Sequence, residues 1–592
     1  MNLASADRPS RATRGRGARR TSAVMLGLAL ALAVAGTAVA ATPPPQVQSV
    51  TVPGVVNEVI VDPAAGPAVG GGSSSVDGTT VERFVEVNGA LLDIPSGLAA
   101  SVSDGEHVSV TLAVPAGADV NSALATVDQA GAPSVDVTDV VRAPAGSAAG
   151  STSADTLAAV SPLGVHTLTV LPIYWTTPDS ATQASLTTVA TETAQFWSEE
   201  SAGQITTTTT IDDWAQVTDP GTCDVTALYN LALAAHHQAA PTSIRDHIVV
   251  YFPHRADCGE WAGLGSVVGS NVWVNGYPWT DVVAHEIGHN LGLGHANRAS
   301  CTEAGVAVSI SSTCTITAYY DGADVMGYAT GQVPGSLNTA LATGLGLVSS
   351  VDATPTDVVT ADLAPIGHAS QLRAVHIPMP DGNDLYVDFR PAVGRDTRIS
   401  SWAGVQVHVR VPQTPAATSV LLDMQPAGTQ TYSDPVSMLP GTSYSIPGTT
   451  YVLRVLSVGA SAARVRVFST AMASPFTDVP TTQAFFPEIL WLSETGITHG
   501  NSDGIYSPSA PVTREAMAAF LYRYAKVTGY SPPTTAQFTD VPTSQPFYTE
   551  ISWLAQTGIT NGNADGSFGA SSPVTREAMA AFLYRYAHPV GA

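Results

Sequence analysis

The run His285-Glu286-Ile287-Gly288-His289-Asn290-Leu291-Gly292-Leu293-Gly294-His295 constrains this chain more than any other feature. On a helix, residues four apart lie on one face a turn apart, so His285 and His289 can offer imidazole nitrogens to one metal ion. Glu286 then flanks the open coordination position as general base. Gly292 tolerates the left-handed backbone that ends a helix, and the returning chain brings His295 to the same point. Three imidazoles suit one catalytic Zn2+ with a position left for water. An ordinary solvated helix face would require neither the glycine nor the third histidine.

A second segment, Asp324-Val325-Met326-Gly327-Tyr328, follows at the distance expected of a methionine-containing turn. Together the two segments resemble the gametolysin-type metzincins. Tyr386-Val387-Asp388-Phe389-Arg390-Pro391 and Gly404-Val405-Gln406-Val407-His408 are similar to the β-domain that often follows such modules. The resemblance spans the region from 166 to 470. It implies zinc ligands His285, His289 and His295, base Glu286, and Met326 as an apolar floor under the ligands. It also implies a role at the metal or the tetrahedral intermediate for Tyr328. Among the other histidines, His236, His237, His247, His254 and His408 lack ligand spacing and are expected to be structural or on the surface.

The composition narrows the partners. Forty-eight acidic residues stand against 24 basic ones, a net charge of −24, and Lys526 is the only lysine. Nucleic-acid binding, which needs clustered cations, is excluded as the main function. Arginines at 8, 11, 14, 16, 19 and 20 precede an apolar run from Val24 to Ala35 and the small residues Ala38-Val39-Ala40. This reads as a secretory signal over 1–40, with Arg19-Arg20 a weak hint of twin-arginine export. No later stretch is long and apolar enough for a bilayer span, so no transmembrane anchor is expected after signal removal. Cys223, Cys258, Cys301 and Cys314 then suggest two disulfides in an oxidising compartment. Of the three pairings, Cys223 with Cys258 and Cys301 with Cys314 close local loops. A four-thiolate second zinc lacks any Cys-x-x-Cys spacing, and structural Ca2+ has no support.

The expected organisation is multidomain: an α/β metzincin catalytic domain with a twisted sheet and an active-site helix, an all-β accessory domain, and small helical repeats. Residues 41–163 read as a propeptide or N-terminal β-rich region, with strands at Arg83–Val87 and His107–Val114 and a linker at Ala143–Thr156. It has no cysteine, so latency through a metal-bound thiolate is excluded. Residues 164–351 alternate strand and helix, with Val267–Val274 as a strand next to the motif helix, where an extended peptide could pair. Residues 352–470 return to alternating strands.

Residues 474–530 and 536–592 are two copies of one unit. Phe476-Thr477-Asp478-Val479-Pro480 returns as Phe538-Thr539-Asp540-Val541-Pro542, and Val512-Thr513-Arg514-Glu515-Ala516 returns as Val574-Thr575-Arg576-Glu577-Ala578. These blocks resemble S-layer homology repeats, which implies attachment to an anionic cell-wall polymer. Arg514 and Arg576 are candidates for that contact, since a guanidinium holds carboxylate or phosphate in a fixed fork. The alternative is that they pair with acids inside the repeats. The leading expectation is therefore a secreted, wall-displayed zinc endopeptidase acting on protein or peptide. Its rivals are a wall-attached adhesion or binding protein with a vestigial metal site, and an enzyme cutting a non-peptide amide.

Overall fold

A computed structural model describes residues 47–574 and Tyr586, apart from 64–79, 143–160, 329–332, 413–415, 427–433 and several shorter stretches. The signal over 1–40, the linker at Ala143–Thr156 and Arg576 lie outside the described residues.

A parallel sheet buried on both faces needs continuous apolar strands, and Asp246–Phe252 reads His-Ile-Val-Val-Tyr-Phe after its first residue, all buried. The N-terminal region forms β1 (Val47–Pro63), β2 (Thr80–Val87), β3 (Ala90–Asp93), β4 (His107–Pro115) and β5 (Asp136–Arg142). It is followed by β6 (Gly164–Tyr174), β7 (Ile205–Ile211), β8 (Ala215–Gln216), β9 (Asp246–Phe252), β10 (Trp261–Ser266) and β11 (Asn271–Asn275). These join one sheet, ordered β3-β2-β1-β10-β11-β9-β6-β7. Strands β11, β9, β6 and β7 run parallel, while β10 is antiparallel to β11.

Helices α1 (Gln183–Glu200) and α3 (Thr280–Asn290) pack in one core with Leu168, Val170, Val249 and Val272, whereas α2 (Val225–His236) packs in another with Leu171, Val250 and Trp273. Local signals start the first two helices. Thr182 and Ser185 form a reciprocal capping box on α1, and Asp224 accepts from Ala227 N to cap α2. The strand expected over Val267–Val274 is a hairpin instead: β10 ends at Ser266, residues 267–270 turn, and β11 begins at Asn271. Ser266 Oγ accepts from Asn271 N, which closes the turn, and Val268 takes a left-handed φ of 43°.

After His295 the chain enters a second sheet. It contains β12 (Ala296–Glu303), β13 (Val306–Val308), β14 (Cys314–Thr317), β15 (Ser349–Asp352), β17 (Leu372–Ile377), β18 (Leu385–Arg390), β19 (Gly404–Val411) and β20 (Thr418–Leu421). Strand β12 pairs with β20, so this sheet draws strands from both sides of the boundary expected near 352. A third sheet holds β16 (Val359–Leu363), β21 (Ser443–Ser445), β22 (Tyr451–Val458) and β23 (Ala463–Ser469). The disulfides are Cys223–Cys258 and Cys301–Cys314, the second linking directly opposed residues of β12 and β14.

The repeats carry helices α4 (Phe486–Glu494), α5 (Arg514–Tyr524) and α6 (Tyr548–Gln556). In the first copy Asp478 accepts from Tyr506 N and Ser507 N; in the second Asp540 accepts from Phe568 N and Gly569 N. The repeated Phe-Thr-Asp block thus closes the same loop twice.

A buried ionic set joins the second sheet to the turn after Ala323. Asp324 accepts from Met326 N at 2.8 Å and from Asn338 N at 2.6 Å, with Arg390 Nη2 at 3.6 Å. Arg390 also meets Asp396 at 3.2 Å. His408 stands between Asp321 at 3.2 Å and Asp388 at 3.1 Å. Burial alone would depress the His408 imidazole, but Asp388 and Asp321 outweigh it and hold the pKa at about 10. A raised folded-state pKa gives stability that is complete below the ordinary imidazole value of about 6.5 and lost as pH rises through the folded value. Stability measured by urea unfolding should therefore decline from about pH 6.5 toward 10, and His408→Gln should flatten that part of the curve. Arg390→Met, which strands buried carboxylates, should lower the unfolding free energy by about 3–5 kcal/mol in the same assay.

Candidate metal centre

Helix α3 places His285, Glu286 and His289 in the interior, each at most 3% exposed. It ends at Asn290. Gly292 takes φ of 92°, its N–H reaches His289 O at 2.8 Å, and Leu293 N returns to Gly288 O at 3.0 Å. That reversal brings His295 beside the first two histidines. One ring nitrogen from each of the three lies within 4.8 Å of those of the others, and the ring centroids are 4.8, 5.6 and 5.0 Å apart.

The backbone fixes how two of these rings face. His285 Nδ1 lies 2.8 Å from Val325 O and His289 Nδ1 lies 2.7 Å from Leu293 O. A carbonyl only accepts, so each Nδ1 is the donor and each Nε2 is the ring nitrogen left to face a metal. The donor set thus fits a divalent metal with tetrahedral preference.

Met326 is fully buried beneath the helix, and Ala296 N donates to its carbonyl at 2.8 Å. Gly288 makes this packing feasible: a Cβ there would stand 2.3 Å from Met326 Sδ. Glu286 has a similar accommodation. A Cβ on Gly263 of β10 would fall 2.1 Å from Glu286 Oε1, and one on Gly265 would fall 2.7 Å from Glu286 O. The alternating glycines of Trp-Ala-Gly-Leu-Gly-Ser were the available sequence signal for this close approach.

Two tyrosines flank the turn. Tyr328 is partly buried, and its N–H donates to Tyr319 O at 2.9 Å. Tyr319, which sequence reasoning missed, has its ring centroid 4.0 Å from that of His295 and 6.2 Å from that of His285. It is buried with a left-handed φ of 59°, and its N–H donates to Asn297 Oδ1 at 3.0 Å. Such a backbone is costly for a bulky residue and persists where its surroundings fix it.

Beside the three histidines runs a chain of hydrogen bonds: Pro162 O to His166 Nε2 at 2.9 Å, His166 Nδ1 to His247 Nε2 at 2.9 Å, and His247 Nδ1 to Asn290 Oδ1 at 3.0 Å. Burial, with His166 beside it, pushes His247 down to about 3, so it stays neutral. In the repeats, Arg514 donates from Nε to Phe568 O at 2.7 Å and lies 4.8 Å over the Phe568 ring, linking the first repeat to the second.

Comparison with known families gives two matches. Residues 180–417 match the family described as gametolysin peptidase M11, and residues 475–518 and 537–580 match the S-layer homology domain. No curated protein matches the chain. Over 180–417 the chain is thus similar to a metallopeptidase family, which supports a metallopeptidase there. The two C-terminal matches to the S-layer homology domain indicate association with the cell surface.

His295→Ala should reduce bound metal from about one ion per chain to below about 0.1, since two imidazoles rarely retain a structural or catalytic site. Elemental analysis after dialysis checks this, with far-ultraviolet circular dichroism unchanged.

Proposed function

We propose that this chain is an exported zinc metalloendopeptidase with a metzincin-type catalytic fold, displayed on the cell wall through helical C-terminal repeats. The observation that carries the reading is the convergence of His285, His289 and His295 around one point, with Glu286 on the same helix and Met326 beneath it. Zinc held there would lower the pKa of its bound water to about 7 and polarise a peptide carbonyl. Glu286 would take the water's proton and pass it to the leaving amine. Gly263 and Gly265 leave room for its carboxylate against β10. An extended polypeptide would add to β10, in place of the strand expected at Val267–Val274. Tyr328, or Tyr319 with its ring beside His295, would donate to the developing oxyanion.

The catalytic unit proposed here spans 164–351 and leans on the β-domain of 352–470, because Arg390 and His408 hold the turn that contains Met326. Residues 41–163 would be the propeptide. The repeats at 474–530 and 536–592, with Arg514 and Arg576, would meet an anionic wall polymer.

Glu286→Gln should retain one zinc and lower casein cleavage by roughly 10²–10⁴-fold. Full cleavage by that variant overturns the mechanism. Zinc binding without cleavage of any member of a peptide library by the wild type would instead favour the wall-attached binding protein.

A further inference from the structure

The edge of β10 that a substrate would use already holds a strand of the same chain. Strand β1 pairs antiparallel with β10: Val59 opposes Ser266, Ile60 opposes Gly265, Val61 opposes Leu264 and Asp62 opposes Gly263. Val267 N donates to Glu58 O at 2.9 Å, which sets this register. The residues opposite Ile60 and Asp62 are the two glycines whose missing side chains admit Glu286. Strand β1 therefore passes alongside the part of β10 that touches the general base.

It also reaches toward the other side of the metal centre. Ile60 is 3% exposed and packs with Val267 and Ala416, and Ala417 O accepts from Gly294 N beside the third histidine. Through Ile60, β1 thus links β10 to the segment that bonds Gly294. The strand is held from behind by its own region. It pairs with β2 and β4, and Glu58 meets Arg83 at 2.6 Å. Val56, Val85, Val108 and Val110 form a separate core there.

A strand edge can pair with only one partner at a time. An extended polypeptide and β1 are therefore mutually exclusive on β10. Latency by a cysteine thiolate is unavailable, because no cysteine precedes Cys223.

We propose that Glu58–Asp62 is an internal occupant of the substrate strand, so that polypeptide substrates bind only when the N-terminal region lets go of β10. This rests on the peptidase reading above for its consequence, though not for its geometry. Release exposes β10 without changing the ligand set, since the histidines lie on α3 and the turn after it. The N-terminal region then acts as a competitive inhibitor in cis.

The test uses the full chain with Ile60→Asp, which places a charge among Val267 and Ala416, and Ile60→Ala as a milder change. Ile60→Leu keeps the apolar volume and serves as control. Three readouts are compared with wild type: amide hydrogen exchange at 264–267, affinity for a fluorescein-labelled extended decapeptide measured in a Glu286→Gln background, and casein cleavage with Glu286 intact. Both disrupting variants are expected to speed exchange at 264–267 by at least tenfold, tighten the peptide by at least tenfold and raise cleavage by a similar factor. Ile60→Leu should match wild type. Equal peptide affinity and equal cleavage across wild type, Ile60→Asp and Ile60→Ala would overturn the proposal. Faster exchange and tighter peptide binding with no cleavage by any form would uphold the occupancy and sink the peptidase reading instead.

Discussion

The turn at Gly292 governs the rest of this molecule. Two histidines on one helix can be placed by helical periodicity alone, but a third imidazole must come back from beyond the helix end. The left-handed backbone at Gly292 returns it within three residues. The chain leaves His295 directly into β12, whose first residue is bonded to Met326 O and paired with β20. The second sheet is therefore built onto the metal centre rather than appended after it. The buried Arg390 and His408 sets follow from that junction. Charges this deep endure only where opposite charges and hydrogen bonds meet them, and they secure the turn beside the three histidines.

Much of this was legible because it is local. The motif helix needs only its four-residue spacing, and Met326 lies within a short recognisable turn. The Cys223–Cys258 and Cys301–Cys314 pairs close short loops, as their spacing suggested. The repeats announce themselves by identity, and the same aspartate-to-backbone bonds in both copies explain why Asp478 and Asp540 recur.

What was hidden is non-local. Val267–Val274 looks like one apolar strand because Val-Val precedes and Val-Trp-Val follows its short polar interruption; only the Ser266 bond to Asn271 N reveals the hairpin. Tyr319 carries no motif, and its place on His295 depends on Asn297 and Tyr328 from either side. His408 shows no ligand spacing, and it is buried between Asp388 of the neighbouring strand β18 and Asp321, 87 residues away. The pairing of β1 with β10 joins residues about 200 positions apart, beyond any periodicity argument.

The His166–His247–Asn290 chain has a mechanical side. It fastens β6 and the residues just before it, through Pro162 O, to the residue beside His289. A polypeptide severed upstream of Pro162 would begin on a stretch already anchored in the interior. Its new terminus would hang from a fixed point, and the strand behind it would keep its place.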